Sequence, residues 1–189
     1  MILPSTLKDI TLNYVCHNYT PPCVADRYCF RSTFMDPLDQ YLQYEADASI
    51  TGLNLKKASI LRAYGLLSNI DQQMQSWITL AKKRHSSGGS KSPQFLFFSG
   101  HDLTLIYVLS TLSIYDGYLP YYASRLTIEL LTEDGQYYAR LLWNGVDVSR
   151  RVCSTSRFKF CSARFLHKLL ITEMKRNFQT DKFSEACEV

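Results

Sequence analysis

The clearest pattern in the chain is a helical repeat of apolar residues between positions 58 and 85. Its apolar positions are Ile60, Leu61, Tyr64, Leu67, Ile70, Met74, Trp77, Ile78 and Ala81. Serine and glycine at residues 86–90 predict the end of this helix. Residues 94–99 hold four consecutive apolar residues between turn-forming residues, which predicts a strand covered on both faces of an α/β sheet. Residues 101–114 return to helical spacing, so the predicted order is helix, strand, helix.

The rest of the chain predicts a hairpin, a final helix and an irregular beginning. Residues 125–131 and 137–143 have strand patterns, and Glu133-Asp-Gly-Gln between them predicts a turn. Ser162 is the predicted cap of a last helix. Its apolar face consists of Phe165, Leu166, Leu169, Leu170 and Met174. Residues 1–50 are rich in Pro, Cys, Tyr and Asp, which predicts a disulfide-tied loop region with one short helix in it.

Length and charge exclude several classes of protein. The chain of 189 residues is long enough to bury one ordinary globular core. The net charge of +4 is mild, and basic residues are scattered except at Lys82-Lys83-Arg84, so no nucleic-acid partner is predicted. No apolar run is long enough to cross a bilayer, and the first residues lack the features of a signal peptide.

Cysteine content and a glycan acceptor sequence indicate the cellular compartment of the protein. The chain has six cysteines: Cys16, Cys23, Cys29, Cys153, Cys161 and Cys187. Asn18-Tyr-Thr is an acceptor sequence for an N-linked glycan, which makes Asn18 a candidate glycosylation site. An even number of cysteines together with this acceptor predicts an oxidising, lumenal compartment.

The cysteine spacing also predicts partners. The short separation of Cys153 and Cys161 favours a local bridge, and Cys187 is expected to pair with Cys16, Cys23 or Cys29. The alternative is a zinc site made of Cys16, His17, Cys23 and Cys29. Disulfides are favoured because no Cys-x-x-Cys pair is present to set tetrahedral geometry. No metal is therefore predicted.

His101 and Asp102 follow the predicted buried strand directly, through Ser99 and Gly100. A strand that turns at once into a helix places them at the carboxyl edge of a sheet, where open α/β folds bind ligands. A cationic imidazole at a helix start can hold a phosphate, and the adjacent carboxyl can donate a proton to a departing oxygen. The alternative is that Asp102 only caps the helix and His101 fills a polar gap. Spacing alone favours that structural interpretation.

Several segments resemble the histidine acid phosphatase family. Ser99-Gly-His-Asp-Leu-Thr-Leu, Pro120-Tyr-Tyr-Ala and the strand of Glu129 resemble the C-terminal half of these enzymes. Residues 12–23, 143–149 and 185–187 resemble the branch that acts on phosphorylated xylose. The resemblance implies a partial histidine-phosphatase-like α/β fold, made of the C-terminal portion of the α/β domain and part of the helical cap domain. Residues 1–57 would be the Cys-rich part of the cap, and residues 58–189 the α/β part.

The resemblance also implies roles for the two motif residues. His101 would bind the phosphate and Asp102 would be the proton donor, with a phosphorylated sugar or another phosphomonoester as substrate and no cofactor. The family's nucleophile motif, Arg-His-Gly-x-Arg-x-Pro, does not occur in the sequence. Arg84-His85 is not an adequate substitute because glycine, the second arginine and proline are missing at the required spacing.

The expected identity is therefore the C-terminal part of a longer phosphatase, inactive when isolated. The full-length form is expected in the secretory pathway, in the Golgi lumen, with a membrane anchor upstream of this segment. The alternative is a catalytically inactive pseudophosphatase, or a module that binds phosphate or glycan.

The remaining candidates receive structural interpretations. His17 is assigned to packing in the disulfide region, and His167 to a solvated or domain surface. Packing is also favoured for Tyr121 and Tyr122 over a role in lining the substrate site. Glu129 is expected to support the site from the neighbouring strand, and Arg125 either pairs with Glu129 or faces solvent.

Overall fold

The computed structural model describes residues 4–20, 23–24, 28–29, 32–50, 55–87, 94–153 and 159–188. The chain divides into two compact units. The first comprises Met1–Gly52 with Gly117–Leu119, and the second comprises Leu53–Asp116 with Pro120–Val189. Among the described residues, no helix has the length and apolar character needed to cross a membrane.

The first unit is more helical than the sequence predicted. It contains α1 (Pro4–Cys16), the short antiparallel strands β1 (Cys23–Val24) and β2 (Tyr28–Cys29), a 3-10 turn (Ser32–Phe34) and α2 (Met35–Ile50). The expectation of a loop region with one short helix is wrong. Among the side chains that the structure describes, α1 buries Thr11 and α2 buries Leu42. Lys8 of α1 pairs with Asp39 of α2, with 2.7 Å between Nζ and Oδ1.

Helices of the second unit agree with the helical repeats in the sequence. The 33-residue α3 (Leu55–Ser87) packs against α4 (Asp102–Thr111). The C-terminal helices α6 (Phe165–Phe178) and α7 (Phe183–Ala186) also contact α3. The main core combines residues of α3, α4, the sheet and α6. Its buried members are Ala63, Leu67, Met74, Val108, Leu109, Leu112, Ile114, Ala139, Leu141, Val148, Cys161, Phe165, Leu166 and Leu170.

The sheet of the second unit is built on the predicted hairpin. Strands β3 (Leu126–Glu133) and β4 (Gln136–Trp143) pair antiparallel from Leu126 opposite Trp143 to Glu133 opposite Gln136. Asp134 and Gly135 form the connection with positive φ angles of 49° and 74°, as a two-residue hairpin turn with right-handed twist requires. Strand β4 also pairs with β5 (Val146–Asp147) and β6 (Cys161–Ser162), and the short α5 (Ser149–Val152) follows β5.

The prediction of a buried strand at residues 94–99 within an α/β sheet is wrong. Residues 94–100 form no strand, and Phe95 and Phe97 are 87% and 74% exposed. The described residues thus form a mixed arrangement of helices and an antiparallel sheet, without the predicted buried strand. The physical reason is pairing, because a strand covered on both faces also needs hydrogen-bonded neighbours. Strands β3 to β6 pair with one another and leave this segment outside the sheet.

The predicted cap of the last helix is also wrong. Ser162 lies in β6 opposite Tyr138, and helix α6 begins at Phe165 after Arg164. The backbone of Ser162 is therefore extended and pairs with β4, three residues before the helix begins.

The disulfides confirm one pairing and correct the others. Cys153 and Cys161 are bonded, as predicted from their spacing. Cys23 and Cys29 are bonded to each other because β1 and β2 place them directly opposite. The predicted bond from Cys187 to either of them is therefore wrong, and so is the zinc alternative that required their thiolates. Cys16 and Cys187 are exposed free thiols, so the expectation that all six cysteines are oxidised is also wrong.

Candidate functional site

The start of α4 carries the predicted site residues. His101 has extended backbone angles, with φ −101° and ψ 162°, and the helix begins at Asp102. The carbonyl of His101 accepts a hydrogen bond from Leu105 N–H at 3.2 Å, which closes the first turn. The N–H of His101 donates to Thr104 Oγ1 at 3.4 Å. The predicted helix start directly after the apolar segment is confirmed, but it does not lie at the edge of a parallel sheet.

The side chains of His101 and Asp102 lie together. His101 Nδ1 is in direct contact with Asp102 Oδ1, and the two side chains are 77% and 42% exposed. The same Asp102 oxygen accepts a hydrogen bond from Leu103 N–H at 2.7 Å. A carboxylate in the first turn is favoured by the positive end of the helix dipole. Asp102 therefore has a structural role in α4 in addition to its contact with His101.

The residues near this pair in the sequence are also exposed. Phe97, four residues before His101, is 74% exposed, and Leu103, directly after Asp102, is 48% exposed. None of the ion pairs or hydrogen bonds found in the described part of the chain joins an arginine to His101 or Asp102. The site therefore offers an imidazole, a carboxyl group and the N–H groups of a helix start. Transferring phosphoryl groups are commonly stabilised by arginine charges, and among the described residues no arginine is bonded to this pair.

Lys56 binds the other end of α4, a contact that no sequence pattern predicted. Its ammonium group donates to the carbonyls of Ser110 and Thr111 at 2.8 and 2.9 Å and to Ser113 Oγ at 2.9 Å. Glu173 Oε2 of α6 lies 3.5 Å away. Burial lowers the pKa of Lys56, although Glu173 acts in the opposite direction. A lysine at the C-terminal end of a helix satisfies free carbonyls and complements the dipole. No local pattern marks this contact, because the partners are 54 to 57 residues away.

Glu129 and Arg125, the further candidates from the sequence, have defined contacts in the sheet. Glu129 lies opposite Arg140 in the hairpin and pairs with it, with 3.4 Å between Oε2 and Nη1. Arg140 Nε also donates to Asp147 Oδ2 at 2.9 Å. Arg125 is exposed, which agrees with the predicted alternative that it faces solvent. Its backbone N–H donates to Asn144 Oδ1. These contacts place Glu129 in an ion-pair network of the sheet.

The other histidines and tyrosines singled out in the sequence are exposed wherever their side chains are described. His167 is at the surface as predicted, with its side chain 63% exposed and Nδ1 3.8 Å from Asp71 Oδ2. His17 is exposed and stacks on Tyr19, so packing in the disulfide region is the wrong interpretation. Tyr121 and Tyr122 are 80% and 67% exposed, so the packing interpretation is wrong for them too. The side chains of Arg84 and His85 lie outside the described residues.

Comparison with known proteins agrees with the resemblance seen in the sequence. The chain matches none of the known protein-family models. It is nevertheless a distant homologue of phosphatases. Its relatives include human 2-phosphoxylose phosphatase 1, at 28% identity over 75% of this chain and 28% of that protein. The Xenopus tropicalis 2-phosphoxylose phosphatase 1 is 26% identical over 95% of this chain and 36% of that protein. The chain therefore spans about a third of the length of these relatives, 28% and 36% respectively.

Proposed function

We propose that this chain is the His-Asp part of a phosphomonoester hydrolase of the histidine acid phosphatase type. The observation that carries the proposal is the contacting, exposed pair of His101 and Asp102 at the start of α4. The distant homology to 2-phosphoxylose phosphatase 1 supports the same reaction class. The proposed substrate is a phosphorylated xylose of the glycosaminoglycan linkage region.

The proposed roles follow from the chemistry of the two side chains. His101 would bind the substrate phosphate through its exposed imidazole, because an imidazolium forms strong charge-assisted hydrogen bonds with phosphate oxygens. Asp102, when protonated, would give its proton to the ester oxygen as the bond from phosphorus to that oxygen breaks. A sugar alkoxide is a poor leaving group, so this proton transfer would contribute about a hundredfold to ten-thousandfold.

In this proposal the attacking group comes from outside these 189 residues. The nucleophile motif with its two arginines does not occur in the sequence. We therefore expect no turnover of phosphomonoesters by this chain alone, because protonation of the leaving group is useful only after attack on phosphorus. In this proposal residues 1–57 belong to the cap domain and residues 58–189 to the α/β domain.

The proposed location is the secretory pathway. The bonds Cys23–Cys29 and Cys153–Cys161 favour an oxidising compartment. Within that pathway we propose the Golgi lumen, with a membrane anchor upstream of this segment in the full-length form.

A second candidate is a pseudophosphatase or a module that binds phosphate or glycan. The missing nucleophile motif is the specific observation that favours it. The genomic sequence upstream of Met1 separates the two candidates. An in-frame Arg-His-Gly-x-Arg-x-Pro motif supports the hydrolase, whereas its absence supports the binding module.

Leaving-group dependence tests the proposed chemistry in the longer product. We expect Asp102→Asn to slow hydrolysis of a phosphorylated xyloside far more than hydrolysis of an activated aryl phosphate. The reason is that an activated leaving group needs little protonation. Asp134→Asn is the matched control at an exposed turn aspartate and should leave both rates unchanged. Equal losses on the two substrates for Asp102→Asn would contradict the role of proton donor.

A further inference from the structure

The acceptor sequence Asn18-Tyr-Thr lies directly after α1, in a turn that presents the asparagine to solvent. The N–H of Asn18 donates to Val15 O at 3.3 Å, and Asn18 has a φ of 54°. Asparagine tolerates this left-handed conformation better than most residues with a side chain. Asn18 is exposed, and none of the hydrogen bonds found among the described residues involves its side-chain amide. The amide nitrogen is therefore available for modification.

The residues before and after Asn18 in the sequence, His17 and Tyr19, form an aromatic cluster with Tyr14. The rings of His17 and Tyr19 stack with their centroids 5.7 Å apart and an interplanar angle of 24°. Tyr14 meets Tyr19 edge to face at 6.4 Å. Tyr19 remains 64% exposed despite these contacts, and its N–H donates to Tyr14 O at 2.9 Å. The backbone bond and the two ring contacts hold Tyr19 in place, so the residue next to Asn18 in the sequence has a fixed and largely exposed ring.

We propose that Asn18 carries an N-linked glycan and that the exposed ring of Tyr19 packs against its first N-acetylglucosamine. In the transfer step, the Asn18 amide nitrogen bonds to the anomeric carbon of a lipid-pyrophosphate-linked oligosaccharide. The bond from that carbon to the pyrophosphate oxygen breaks, and one amide proton is lost to solution. The apolar face of the sugar then covers part of an aromatic ring that is otherwise in water.

The disulfide of the same unit is an independent argument for the site. Cys23 and Cys29 are bonded within the segment that follows Asn18. Disulfide formation favours an oxidising lumen, which is also where N-glycans are added. The inference does not rest on the proposed phosphatase reaction.

Occupancy is tested by expressing the 189-residue chain behind a cleavable secretion signal in eukaryotic cells. The sequence contains no other Asn-x-Ser/Thr acceptor, so treatment with peptide-N-glycosidase should lower the mass by one glycan. Asn18→Gln and Thr20→Ala should abolish the shift. Asn13→Gln, a change of the same type within α1, should keep it. An unglycosylated chain that has entered the lumen, as signal cleavage shows, would overturn the proposal.

Packing of the sugar is tested after an endoglycosidase has trimmed the glycan to a single N-acetylglucosamine. We expect the acetyl methyl proton signal to be shifted upfield by the aromatic ring and to show nuclear Overhauser contacts with Tyr19. Tyr19→Ala keeps the acceptor sequence but should return the methyl signal to its position in the unfolded chain. Tyr44→Ala, at a 71% exposed tyrosine of α2, is the control and should have no effect. An unshifted methyl signal in the folded wild-type chain would overturn the proposed sugar contact.

Discussion

Two apolar segments of the second unit fold differently, although both have the sequence pattern of a strand. In the hairpin, Ala139 and Leu141 are completely buried. In residues 94–100, Phe95 and Phe97 are 87% and 74% exposed, and no strand forms. The hairpin partner is supplied by a two-residue turn at Asp134 and Gly135, whereas residues 94–100 have no adjacent strand in the sequence. Apolar character predicts a strand only where the chain also supplies hydrogen-bonding partners.

The sharpest test of this comparison is to truncate one residue in each segment. We expect Leu141→Ala to lower the free energy of unfolding by about 2 to 5 kcal/mol, because it leaves a cavity in the core. Phe97→Ala should change it by less than about 0.5 kcal/mol, since most of this ring is already in water. Urea denaturation of both variants provides the measurement. Similar losses for the two would mean that residues 94–100 are packed.

The bond between Cys153 and Cys161 should have the next largest effect. It closes a loop next to β6 and reduces the number of conformations open to the unfolded chain. We expect the paired change of both cysteines to alanine to cost about 2 to 3 kcal/mol, again measured by urea denaturation. The control is the same double change at the exposed free thiols Cys16 and Cys187, which should cost much less. Equal losses would contradict a stabilising role of the bond.

Asp147 at the edge of the hairpin should give a smaller, pH-dependent effect. Burial raises its pKa, but hydrogen bonds from Ser149 and Arg140 outweigh burial and lower it below the ordinary value of 3.8. A lowered pKa stabilises the fold above pH 3.8, and this contribution is lost as the pH falls through the folded-state pKa. Asp147→Asn should therefore cost about 0.2 to 1 kcal/mol at neutral pH.

The pH dependence of that loss is the deciding measurement for Asp147. The difference in unfolding free energy between wild type and Asp147→Asn should shrink as the pH falls below 3.8. Asp134→Asn, at an exposed turn residue, provides the control for a general effect of charge. If the difference in unfolding free energy stays constant as the pH falls below 3.8, the ionised carboxylate of Asp147 is not responsible for it.

The sequence predicts elements well where local pattern and local contacts agree. The long α3 has a repeated apolar face, and the β3–β4 hairpin has both alternating residues and the Asp-Gly turn. Helix α1 was missed because its buried position is a threonine, a poor signal of an inward face. Ser162 was predicted to cap a helix, but a serine can stand either before a helix or in a strand. Only its pairing with β4 in the folded chain distinguishes the two positions.

The site could be predicted only in part, for a related reason. The motif identified the neighbours His101 and Asp102, and their contact follows from adjacency at a helix start. The salt bridge of Glu129 with Arg140 depends on hairpin register, and the anchor at Lys56 joins segments more than fifty residues apart. Such contacts need the folded backbone, because no pattern in one segment specifies the partner in the other.

Binding of inorganic phosphate to the 189-residue chain tests the proposed site most directly. Carbon-proton correlation spectra resolve the ring signals of the four histidines, assigned with His→Gln variants. We expect the signal of His101 to shift saturably with phosphate, while that of His167 moves no more than it does in sodium chloride of equal ionic strength. His101→Gln should abolish the saturable response. If His101 does not respond, or responds no more than His167, the assignment of His101 as a phosphate ligand is wrong.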